Sequence, residues 1–292
     1  PMRWPRASKA ASGTSIDLGT ATLNIDGTGA SAGLNSALWA QIIPGNRVGF
    51  SGVVTVNTVE AAGLVSDLGG TLFFGAAGNT VTTTGLPAIS FSNGTRVENG
   101  SGGSAQFGAI NSSGGGQNGI LLSDLGASPA LLFNGPVTID GTTSNAIQIQ
   151  NTTLAAASVT FAGAVSITNA TGGGVKWQRL AGSTDTLTFS GGLAIQNSGG
   201  VGFSADHGAV ALSGTNTVST TNGTGVSISN ATVSGGFTSV SASFAAGNGI
   251  NLQNLTGSLN LGTGTLTNTG AGAAFNVGSA TNASGGNAVI SY

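Results

Sequence analysis

The chain has 292 residues, of which seven are Lys or Arg and nine are Asp or Glu, with a sequence pI near 5.0. So few basic groups give no phosphate-binding footprint, which argues against a nucleic-acid partner. Cysteine is absent, which excludes disulfides, thiolate nucleophiles and cysteine-based metal sites.

The 52 glycines follow no Gly-X-Y period, so a collagen helix is excluded. A net charge of only −2 with 39% hydrophobic residues does not match a disordered chain. No apolar run approaches the roughly 20 residues of a membrane helix, so no membrane span is expected in this segment.

Residues 1–47 read as an N-terminal lead and capping segment. The opening PMRWPRASKA is basic but no apolar core follows it, so it is not an intact signal peptide. Leu34, Leu38 and Ile42 stand four apart before Pro44, which predicts a short amphipathic helix plugging the first coil. A strand in that coil is the competing expectation.

From 48 to 292 two phrases repeat. The first is small, apolar, any, apolar, any, Asn, as in Ala88-Ile89-Ser90-Phe91-Ser92-Asn93 and Ala146-Ile147-Gln148-Ile149-Gln150-Asn151. It returns as Gly225-Val226-Ser227-Ile228-Ser229-Asn230 and Gly249-Ile250-Asn251-Leu252-Gln253-Asn254. With looser copies its first apolar positions are 89, 120, 147, 175, 201, 226, 250 and 273, so coils of about 23–31 residues are expected. The second phrase reads Phe, any, Gly, any, Val/Leu, any, Ile/Val, as in Phe133-Asn134-Gly135 with Val137 and Ile139, then again from Phe161 and Phe189.

Both phrases alternate at period two, the pattern of a strand with one buried face. A coil of two or three such strands cannot bury its own apolar face, and stacking coils cures this. The expected fold is all-β: a parallel β-helix, expected right-handed, of roughly ten coils.

Asn93, Asn151, Asn230 and Asn254 share one register and are read as a structural ladder, because Asn tolerates a left-handed corner and its amide reaches adjacent coils. All four also begin Asn-Xaa-Ser/Thr triplets, which leaves glycosylation as the other reading.

Phrases such as Gly249-Ile250-Asn251-Leu252-Gln253-Asn254 and Leu266-Thr267-Asn268-Thr269-Gly270 resemble the β-strand repeats of bacterial autotransporter passengers and filamentous adhesins. The likeness covers about 48–292 and is one of style and period. Neither the N-terminal secretion module of filamentous exoproteins nor a C-terminal membrane barrel is seen. The resemblance implies an extracellular or surface-displayed bacterial protein.

Enzymes also use this fold, pectate lyases and polygalacturonases among them. Glycan hydrolysis needs paired carboxylates at a set separation, yet the seven Asp residues are scattered and no Asp-Xaa-Asp occurs. One stretch concentrates ionisable groups: Lys176, Arg179, Asp185, Asp206 and His207, with Asp185 and Asp206 one coil apart. These five are the catalytic candidates, set against the reading of solvated loop residues with Arg179 paired to Asp185 or Asp206. Asp124 and Arg179 occupy the ladder slot that Asn holds elsewhere. No motif for a cofactor or a metal ion is found.

After His207 the chain carries no Lys, Arg, Asp or Glu. Uncharged β-helix ends are unguarded edges, so the chain's own end-to-end stacking, or further chain of the same polypeptide, is the expected partner, with host or matrix glycans next. The closing Val289-Ile290-Ser291-Tyr292 lies within a strand-like pattern, which suggests a piece of a longer polypeptide. Together these features favour a non-enzymatic adhesin, stalk or filament segment, with a polysaccharide lyase or hydrolase as the alternative.

Overall fold

A computed structural model describes residues 13–26, 36–151, 157–197, 199–244, 246–278 and 288–292. They form a parallel β-solenoid of about nine turns with no helix. Each turn contributes a strand to each of three faces. One turn runs Asn145–Gln150, Val159–Phe161 and Val165–Thr168, and the next Gly173–Gln178, Thr186–Phe189 and Leu193–Asn197.

The first phrase is the first face, a ten-stranded parallel sheet from Ser36–Gln41 to Phe275–Val277. The second phrase spans the end of the second face, a corner and the start of the third. Its Phe residues are register partners, Phe133 with Phe161 and Phe161 with Phe189, as are Val137 with Val165 and Val165 with Leu193. Strand Gln106–Ser113 runs through the corner and pairs with both Leu131–Phe133 and Val137–Asp140, which joins the second and third faces there without closing a barrel.

Inward residues at alternate positions fill the prism. Phe107, Phe133, Phe161 and Phe189 stack with ring centroids 5.2, 4.7 and 4.9 Å apart, and none is exposed. Parallel register places like on like every ~4.8 Å, and such offset stacks add to the burial of each ring. The same register explains the glycine two residues after Phe133, Phe161 and Phe189. A Cβ on Gly163 would lie 2.0 Å from the carbonyl oxygen of Gly135, and one on Gly191 would lie 2.3 Å from that of Ala162. Adjacent turns approach too closely at this corner for any side chain.

Two local expectations change. Residues 36–41 are a strand paired with Ala62–Asp67, not a helix: Leu38, Ala40 and Ile42 are buried while Trp39 and Gln41 are exposed, a period of two that outweighs the four-residue spacing of Leu38 and Ile42. Leu34 and Asn35 lie outside the described residues. Strands Ser15–Asp17 and Ala21–Asp26 pair with Arg47–Phe50 and Val54–Val59, so the stacked sheets begin upstream of residue 48.

The anchors of two turns also shift by two residues. Val175 pairs with Phe203 rather than Val201, and Ile250 with Phe275 rather than Ala273.

Candidate functional site

The five ionisable candidates lie around the corner that follows the first face. Register aligns Gln150 with Gln178, Gln178 with Asp206, Asp206 with Ser229 and Ser229 with Gln253. The next residues therefore form one column along the axis: Asn151, Arg179, His207, Asn230 and Asn254. His207, Asn230 and Asn254 adopt left-handed backbones (φ 61°, 52° and 50°), as do Asn93 (54°) and Asp124 (51°) earlier in the column. Short polar side chains tolerate this conformation best.

Within the column, Asn254 Nδ2 donates to Asn230 Oδ1 (3.0 Å) and Asn230 Nδ2 to Asp206 Oδ1 (3.0 Å). Asn151 is buried instead, its Nδ2 donating to the Leu125 carbonyl.

Arg179 is enclosed, its side chain 1% exposed. Its guanidinium donates to Asn151 Oδ1 (3.0 Å) and to the Ala157 carbonyl (2.9 Å), and its Cζ lies 3.9 Å from the centre of the Trp177 ring. Asp185 Oδ2 lies 3.6 Å from Arg179 Nε without forming a hydrogen bond. Burial lowers the Arg179 pKa to about 10, and the Asp185 charge acts in the opposite direction. Trp177 Nε1 in turn donates to the His207 carbonyl (3.0 Å). The cation is thus enclosed between its own turn and the preceding one.

The two carboxylates are held by different partners. Asp185 accepts from Ser183 Oγ (3.3 Å) and pairs with Arg179. Asp206 Oδ1 accepts from Ser229 Oγ (2.8 Å) and Asn230 Nδ2 in the following turn. His207 Nδ1 is 3.1 Å from the same oxygen but is not aligned as a hydrogen-bond donor.

Burial raises the Asp206 pKa, but the bonds from Asn230 and Ser229 and the adjacent His207 outweigh it and leave the carboxyl below its ordinary range. A general acid needs the opposite shift. Lys176 stands on the outward side of its strand, between Gln148 and Ser204 in register.

The Asp206 arrangement occurs a second time. On the third face Asp140 Oδ1 accepts from Thr168 Oγ1 (2.6 Å) and Asn169 Nδ2 (2.7 Å) of the following turn, and Asn169 is left-handed (φ 54°). The Thr168 and Asn169 bonds hold the Asp140 carboxyl below its ordinary value against a small effect of burial. An Asp at a strand end, answered one turn later by Ser/Thr-Asn, is a corner brace that the chain uses on two faces.

A second charged cluster was hidden in the sequence. Glu98, 5% exposed, accepts from Arg47 at 2.5 Å and from Arg96 Nε at 2.9 Å. Arg47 also donates to the Gly100 carbonyl and lies over the Phe73 ring, 5.3 Å from its centre. These residues are 51 and 2 apart in sequence and meet because Arg47 and Arg96 both pair with Thr71. Only the register could have revealed them. Among the described residues no group of three or more His, Asp or Glu could hold a metal ion, and no helix is long and apolar enough to cross a membrane.

These observations define the chain as a parallel β-solenoid whose charged groups brace its corners. No protein-family model matches it, and neither does any curated protein or solved structure.

Proposed function

We propose that this chain is a non-enzymatic structural segment, a β-helical stalk or adhesin segment or a filament subunit, displayed outside a bacterial cell. The observation that carries this reading is the bracing role of the candidate groups. Arg179 is enclosed by Asn151, Ala157 and Trp177, and Asp206 repeats the Asp140 brace. Asp206 is therefore accounted for by the stacking of turns, and Asp185 by Ser183 and Arg179 of its own turn. The in-register ladders support a mechanical role, since each turn is tied to the next by backbone bonds along all three faces.

The test is electron microscopy with small-angle scattering over a range of protein concentrations. Fibres with an axial repeat near the roughly 45 Å length of nine stacked turns would identify a filament subunit. Discrete rods at every concentration would remove the filament subunit and leave a stalk or adhesin segment against an enzyme, which a glycan-cleavage screen separates. Compact particles without a long axis would overturn the reading.

A further inference from the structure

The aromatic rings of the solenoid are enclosed within it, apart from Phe275 and Tyr292 in its last described turn. Trp39 is the exception among the described residues. It lies in the middle of the strand Ser36–Gln41 and is 47% exposed.

Its position is fixed by the next turn. Trp39 pairs in register with Val65, and Gln41 with Asp67. The indole N–H donates to Asp67 Oδ1 (3.2 Å), and Gln41 Nε2 donates to Asp67 Oδ2 (3.4 Å). The Trp39 bond therefore runs diagonally, one turn up and two residues along, and ties the indole to the next turn. Beside it, Leu68 holds a left-handed backbone (φ 85°) and is 44% exposed. In later turns this corner is held by Asn93, Asp124, His207, Asn230 and Asn254. A bulky residue rarely holds that conformation, and strain of this kind gathers at binding sites.

We infer that Trp39, Gln41 and Asp67 form a binding platform for a neutral pyranose glycan. A pyranose ring has a C–H face and a rim of hydroxyls. The indole presents a flat apolar surface whose polar N–H is already satisfied, so it meets the C–H face without desolvating a donor. Asp67 accepts one of these bonds at each oxygen, and an ionised carboxylate has about four acceptor positions, so lone pairs remain for sugar hydroxyls. The single negative charge disfavours sulfated or uronic chains. Beyond Val65 the outward column continues through Ser90 and Leu121 to Gln148, and two residues along Ser92 pairs with Ser123 and Ser123 with Gln150. A glycan lying along the axis therefore meets a mixed face, apolar at Val65 and Leu121 and polar at Ser90, Ser92, Ser123 and Gln150.

This inference deepens the adhesin reading and rests on it, since the platform contains no acid–base pair. It is tested by pull-down on microcrystalline cellulose and chitin, and by titration calorimetry with soluble β-glucan and mannan. The wild-type chain is expected to bind at least one of them. Trp39→Ala should weaken that binding about tenfold or more, Trp39→Phe should keep part of it, and Asp67→Asn should fall between, all with unchanged thermal unfolding. Absence of binding to all four, equal binding by Trp39→Ala, or capture of proteins or anionic glycans only would overturn the platform. Released sugars are measured in the same incubations. Their appearance would overturn the non-enzymatic reading, while Trp39-dependent binding would leave the platform standing.

Discussion

Replacing Arg179 by Met tests whether the charged cluster is part of the packing. The guanidinium makes two hydrogen bonds, to Asn151 and Ala157, rests on Trp177 and faces Asp185. Hydrogen bonds to charged groups contribute about 1.5–3 kcal/mol each and a desolvated cation–π contact about 2 kcal/mol. Burying the cation costs several kcal/mol in the other direction. Met fills much of the volume but leaves Asn151 Oδ1, the Ala157 carbonyl and the Asp185 carboxylate without their cation. Removing one member of such a buried set costs about 3–5 kcal/mol.

Urea unfolding followed by circular dichroism and tryptophan fluorescence would measure it. Asp185→Asn alone should cost about 1 kcal/mol or less, because the 3.6 Å contact is not a hydrogen bond and Ser183 remains. The coupling in the double variant should be correspondingly small. A loss below about 1 kcal/mol for Arg179→Met would refute the reasoning. The side chain would then be solvated and free to meet a ligand.

Other predictions follow from the same geometry. Phe161→Ala removes the middle of the Phe133–Phe161–Phe189 stack and should cost about 3–5 kcal/mol. Phe161→Leu should cost less, since Leu212 already continues that column, and equal losses would contradict like-on-like stacking. Gly163→Ala should cost about 1–3 kcal/mol through backbone displacement, because its Cβ would meet the Gly135 carbonyl; a neutral result by calorimetry would mean the corner is looser than described. Asp140 has a folded pKa below its ordinary 3.8, so the unfolded carboxyl takes up its proton first as pH falls. Its contribution is complete above about pH 5 and disappears as pH falls through the folded value. The stability gap between wild type and Asp140→Asn should therefore narrow as pH falls below the ordinary carboxylate value, and a gap that does not change with pH would exclude this brace.

Much of the fold could be read from residues because parallel stacking repeats the same chemistry at each turn. Phe133, Phe161 and Phe189 recur for ring stacking, and the following glycines recur because backbones approach there. The turn at 62–67 was obscure because its inward position is Ser66, bonded to the Ala40 carbonyl and to Thr95 Oγ1, where other turns carry an apolar residue. The two-residue shift at Phe203 arose because Val201 pairs with Gly173, so the strand starts before its first inward anchor.

The Arg179 cluster was visible as composition but not as burial. A lone Arg in an Asn column gives no sign that it turns inward onto Trp177. The contact of Arg47 with the Arg96–Glu98 pair was not visible, since Arg47 reaches it only through two strand registers.

The most direct test of the central claim is a polysaccharide turnover screen of the wild-type chain beside the Asp185→Asn, Asp206→Asn double variant, with stability measured on the same samples. The account predicts no product from either protein, and a double variant that keeps its fold while losing part of its stability. Product released by the wild type and abolished in a stably folded double variant would contradict it.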